Sequence, residues 1–155
     1  MHLLKFVICS LLRKALEMKL IYFTSLLFIT LFCQQVMAEI AVIVHPSNNA
    51  NIEKVTVSRI FLGKLKSFPG GAQAVPITQK EGSAINDEFN KKVLKKSSSQ
   101  LKAYWSKLVF TGKGTPPRSL NSDAEVLSLI GDNPNLIGYI DVAAVTSKVK
   151  VVARF

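Results

Sequence analysis

The run "EIAVIVH" at residues 39–45 constrains this chain more than any other stretch. It is apolar throughout and rich in β-branched residues, so it reads as a buried strand. Three more strand-like runs follow: "AQAVPIT" (72–78), "LIGYI" (136–140) after an Asn-Pro turn, and the alternating "KVKVVARF" (148–155). Helical patterns separate them. Ile85, Phe89 and Val93 recur every four residues and predict a helix over 84–95. Leu101, Tyr104, Trp105 and Leu108 form the stripe of the next helix, with Ser97 and Gln100 in capping-box register, and a stripe of this kind is expected to face the core. A third helix is expected over 123–130, opened by a capping box of Ser122 and Glu125 and ended by Gly131. Strands alternating with helices imply an α/β layer around one sheet.

Two segments resist a purely local reading. In "IEKVTVSRIFLG" (52–63), Val55, Val57 and Ile60 favour a strand by propensity. Yet Ile52, Val55, Ile60 and Phe61 can share one helical face, and Gly63 is a natural helix end. Pro76 restricts its strand, because proline cannot donate to a sheet ladder and is tolerated only near an edge or an end. "PSNNAN" (46–51) and "SFPGG" (67–71) read as turn and loop.

The first 38 residues are expected to serve export rather than the fold. From Met18, a plausible true start, Lys19 precedes an apolar run from Leu20 to Phe32. Val36, Met37 and Ala38 then supply compact residues where a signal peptidase reads. The run is shorter than the roughly 20 residues a membrane span needs. Cleavage after Ala38 leaves residues 39–155 as a single domain, released from the membrane and periplasmic. The excised part carries Lys5, Arg13, Lys14, Lys19 and Glu17; subtracting them from 20 basic and 10 acidic residues leaves a net charge of +7.

Composition narrows the chemistry. Both cysteines, Cys9 and Cys33, lie in the excised part, and His45 is the one histidine left. Thiol catalysis and His/Cys metal sites therefore drop out, and no cofactor is expected. A Ser-His triad built on His45 would need a held serine and an orienting carboxylate, which no spacing specifies. The chain reads as a non-enzyme. Its lysines are spread out, with Lys91, Lys92, Lys95 and Lys96 on a helical pattern and the rest single, so nucleic acid is not an expected partner. "FTGKGTPPR" (110–118) lacks the earlier glycine of a phosphate loop and reads as a basic, solvent-facing loop.

The most suggestive local feature is "KEGSAINDEF" (80–89). Ser83 is placed to cap a helix, Gly82 lets the chain approach closely, and amides at a helix start can seat an anion. Lys80 is the nearest cation in sequence, while Glu81, Asp87 and Glu88 compete for the positive end of the helix dipole. Ser47, after the first strand, is a further hydroxyl candidate.

Four segments in this order, "SRIFLGK" (58–64), "EGSAINDEF" (81–89), "YWSKLVFTGKG" (104–114) and "NPNLIGYIDVAAV" (133–145), resemble the phosphate-binding proteins of ABC importers, in particular their short single-domain relatives. The resemblance covers nearly all of residues 40–152 and implies that 52–62 is helical. It implies a single periplasmic-binding-protein-like lobe: a mixed central sheet flanked by about four helices, corresponding to the second of the family's two lobes. It also implies a small oxyanion such as phosphate as ligand, held by Gly82, Ser83, Ala84, Ile85 and Lys80. Against the family's loop, Ser83 matches the serine, while Gln79, Ala84 and Ile85 stand where arginine, glycine and threonine are usual. Implied partners are the membrane subunits of an ABC importer or, for a degenerate lobe, another envelope protein.

Overall fold

The computed structural model describes residues 39–155; the expected extension, signal peptide and both cysteines lie outside the described residues. The first strand, β1 (Ile40–Val44), is inaccessible at every residue, as its unbroken apolar run requires. Strands β2 (Val75–Gln79), β3 (Arg118–Leu120), β4 (Leu136–Asp141) and β5 (Lys150–Arg154) complete one five-stranded sheet in the order β3-β2-β4-β1-β5. β2 lies parallel to β3 and β4, and β1 pairs antiparallel with β4 and β5, so β1 runs against the other four. The sheet is mixed, as expected.

Four α-helices cover it: α1 (Lys54–Phe61), α2 (Ala84–Phe89), α3 (Ser98–Phe110) and α4 (Asp123–Asp132). The ambiguous segment is helical, but its buried face is Val57, Ile60 and Phe61, whereas Val55 is 68% exposed. Ile52 is buried ahead of the helix and so lies outside its phase. Gly63 closes the segment at φ +67, the left-handed conformation that favours glycine. β2 begins three residues later than its apolar run suggests and extends to Gln79; Pro76 is its second residue, at the strand end rather than on a sheet edge.

The expected helix over 84–95 is not a single α-helix. After Phe89 it widens into a π-helical turn, Asn90–Leu94, and stops at Lys95, whose φ is +54. The wider turn rotates the inward face so that Asn86, Phe89, Asn90, Val93 and Leu94 are buried, while Ile85 is only half-buried. The Ser97–Gln100 capping box is formed in full. The second box is not reciprocal: Ser122 accepts from the Glu125 amide, but Glu125 accepts from the Asn121 amide instead. Gly131 is helical rather than terminal, and the helix ends at Asp132 with Asn133 as its C-cap.

Alternation along the strands sorts the core into two layers. Ile40, Val42, Val44, Ile137 and Tyr139 face α1, α2 and the π turn. Ala41, Ile43, Ile77, Leu120 and Ile140 face α4, which contributes Val126 and Ile130. Of α3, Leu101 alone is buried; Tyr104, Trp105 and Leu108 are half-buried, so the expected core stripe is mostly a lining. No helix among the described residues is long and apolar enough to cross a membrane.

Candidate functional site

The chain leaves β2 toward α2 on one face and leaves β3 toward α4 on the other. In α/β sheets, ligands gather in the crevice that such a divergence opens beyond the carboxyl ends of the strands. The two loops are tied there by the Lys80 amide, which donates to the Leu120 carbonyl across 2.8 Å. The Ser83 amide donates to the Lys80 carbonyl at 3.1 Å, closing a turn with Gly82 at φ +79. Nothing lies within 4 Å of a Cβ built on Gly82, so glycine is needed here for the backbone angle rather than for space.

Gly82, Ser83, Ala84 and Ile85 therefore form one turn-and-helix start, with Lys80 exposed beside it. Ser83 is the N-cap, and its Oγ accepts from the Asn86 amide across 3.4 Å. The Ala84 and Ile85 amides precede the first intrahelical bond, and neither donates to a partner among the described residues. The Ile85 side chain packs against the core and offers a ligand nothing but its amide. Two of the three nearby carboxylates are engaged elsewhere. Asp87 accepts from the Ser98 hydroxyl at 2.8 Å, and Glu88 pairs with Lys92 at 3.0 Å.

Ser47 is not brought to this place. β1 is antiparallel to β4, with Val44 opposite Ile137, so the turn after β1 lies beyond the starting end of β4. The helix start lies beyond the opposite end, roughly 17 Å away for a five-residue strand. Ser47 instead caps its own turn: its hydroxyl and amide reach His45 Nδ1 at 2.7 and 3.1 Å. A serine is thus held by His45, but among the described residues no carboxylate bonds to that ring.

Beneath the helix start is a buried polar network that no sequence motif announced. Asn86 Nδ2 donates to Thr78 Oγ1 at 3.1 Å, to the Gln79 carbonyl at 3.0 Å and to Tyr139 Oη at 2.9 Å. Tyr139 Oη also accepts from the Gln79 amide at 3.1 Å and shares a 2.8 Å bond with Thr78 Oγ1. Asn90 Nδ2 donates to Asn86 Oδ1 at 2.9 Å. Burial pushes the Tyr139 phenol above its usual 10.0, although its hydrogen bonds to Thr78, Gln79 and Asn86 pull the other way. Gln79 is buried too: its side-chain amide donates to the Tyr139 carbonyl at 3.1 Å and to Asp123 Oδ1. At the position where the resemblance expects an anion-pairing arginine, the chain has a core residue. The i, i+4 spacing of Asn86 and Asn90, on the face of Phe89 and Val93, was the available signal.

Next to this network a cavity of about 610 Å³ opens between α3 and the sheet, floored by Thr78 and Ser119 and walled by Phe89, Asn90, Trp105 and Phe110.

No protein-family model matches the chain, and no curated protein matches its sequence. Solved structures do match its fold. One, assigned as a phosphate ABC transporter substrate-binding protein from Clostridium perfringens with bound phosphate, aligns with a TM-score of 0.58 at 23% identity, covering 74% of this chain and 45% of that one. An ABC-type phosphate transport receptor from Vibrio cholerae aligns at 0.51 with 15% identity, over 74% of this chain and 46% of its own. At these identities the likeness establishes the fold, a single periplasmic-binding-protein-like lobe. The chain spans less than half the length of either structure.

Proposed function

We propose that this chain, exported and cleaved after Ala38, is a solute-binding lobe of the cell envelope that offers a half-site for a small oxyanion such as phosphate. The half-site is the start of α2: the backbone of Gly82 and Ser83, the open amides of Ala84 and Ile85, and Lys80 as the nearest cation. The observation that carries this reading is positional. In a fold shared with a phosphate-bound structure, a helix start with unpaired amides lies at the divergence of two parallel strands. The membrane subunits of an ABC importer are the corresponding partner. The half-site is weak by construction. It lacks a guanidinium, the Ser83 hydroxyl already serves its own helix, and one lobe leaves the anion facing water.

Calorimetric titration of the purified protein with phosphate should give saturable, weak binding. Ala84→Pro is the sharpest variant. Position 84 is the first helical residue, where proline is tolerated, and the change deletes one of the two open donors. Binding should fall while the fold persists; a flat titration up to millimolar phosphate, or binding indifferent to Ala84→Pro, would overturn the reading.

A second reading is an interaction module, a lobe that docks to another envelope protein. It is favoured by Val109 and Phe110 at the end of α3, adjacent apolar residues that are 53% and 92% exposed. Affinity capture from envelope extract should recover one specific partner, lost in Phe110→Ser; an unchanged or empty capture counts against it.

A further inference from the structure

The cavity under α3 has a polarity opposite to that of the anion half-site. The orientation of its polar wall follows from one group that can only accept, the backbone carbonyl of Gln79. Because Asn86 donates to that carbonyl, its Nδ2 is fixed on that side and its Oδ1 must face Asn90. Asn90 then has to present its Nδ2 to Asn86, which leaves Asn90 Oδ1 with no partner among the described residues. Asn90 is 6% exposed, and among the described residues no fully buried side-chain polar atom lacks a partner. Its free oxygen is therefore reached from the cavity that the residue lines. The π-helical turn carries Asn90 there, and such turns recur where function needs a side chain re-aimed.

The surroundings specify what this acceptor would meet. Phe61, Phe89, Leu94, Leu101 and Trp105 supply apolar and aromatic wall, and about 610 Å³ is within the range of small-molecule sites. Glu81 and Lys102, one of each sign, line the same cavity, so no net charge selects an anion. An oxyanion placed against Asn90 Oδ1 would face an acceptor with an acceptor. We propose that this cavity binds a small organic molecule with a ring-sized apolar body and an N–H donor at one end, the donor bonding Asn90 Oδ1 and the body lying against Trp105 and Phe89. This site adjoins the α2 start, with Glu81 and Asn86 in its lining, but it uses Asn90 Oδ1 rather than the open amides and does not depend on phosphate binding there.

Trp105 is the one tryptophan of the chain, so its emission reports on the cavity wall. The purified protein is titrated with four probes sharing a phenyl body: 2-phenylethylamine, phenylacetamide, phenylacetate and ethylbenzene. The amine and the amide should shift the emission saturably, and at least tenfold more tightly than phenylacetate or ethylbenzene. Ser106→Phe, at an exposed position on the cavity rim, should reduce that binding tenfold or more without disturbing the core. Asn90→Ala should erase the preference over ethylbenzene if the variant folds. Equal binding of all four probes, no response to any, or a tightest response to phenylacetate overturns the proposal. So does a dimer in light scattering whose emission ignores every probe, since a second copy would then fill the cavity. Inorganic phosphate, added last, should leave the amine titration unchanged even if it binds at Ala84.

Discussion

The two faces of the sheet are built from alternate residues of the same strands, yet they close in different ways. On one face α4 settles directly onto β4 because Gly138 has no side chain. A Cβ there would stand 2.7 Å from Ile130 Cδ1 and 2.9 Å from Val126 Cγ1. On the other face the next residue, Tyr139, projects a full ring that stacks on Phe89 with centroids 3.8 Å apart and meets Phe61 at 5.8 Å. That ring and the Asn86 network fill the middle of the layer. α3 is left at its margin, anchored by Leu101 and by the Tyr104 hydroxyl on the Leu62 carbonyl at 2.7 Å. One face is a finished core. The other is half core and half cavity, and the candidate sites belong to the unfinished half.

The contrast can be broken first where packing is tightest. Gly138→Val should cost the most, near the upper end of the about 1–3 kcal/mol typical of overpacking, read from denaturant midpoints. Tyr139→Phe should cost about 2 kcal/mol, because the buried Gln79 amide then loses its acceptor. The same residue predicts an alkaline signature. The unfolded chain gives up this proton at about pH 10, whereas the buried phenol retains it to higher pH. Stability present below pH 10 should therefore decline as pH rises toward the folded value, and Tyr139→Phe should flatten that decline. Ser97→Ala, at the cap of α3, should cost about 1 kcal/mol. At the cavity margin, Phe110→Ser should change stability by no more than about 0.5 kcal/mol. A larger loss there would mean that α3 is held more firmly than its exposure indicates.

Legibility followed the same division. Features that a residue imposes on its own neighbours were readable: the continuous β1 run, the Ser97 capping box, and Ser83 as an N-cap. The three residues of β3 were not, since "RSL" has no periodicity to read; they are a strand because the edge of β2 was free to pair with them. The Ser122 box failed as a reciprocal pair because Glu125 found the Asn121 amide within reach. At the helix start, the turn and cap were legible, whereas the isolation of Ser47 and the burial of Gln79 depended on strand order.

The sequence by itself determined the buried β1 run, the starts of α2, α3 and α4, and the absence of cysteine from residues 39–155. Those are consequences of side-chain shape and backbone hydrogen bonding over a few residues. The tertiary structure alone decided that Asn86, Asn90, Thr78 and Tyr139 meet, and that Trp105 lines a cavity rather than filling a core. The reason is physical: polar partners up to 61 residues apart are joined only once the strands are in register, and no local period records that register.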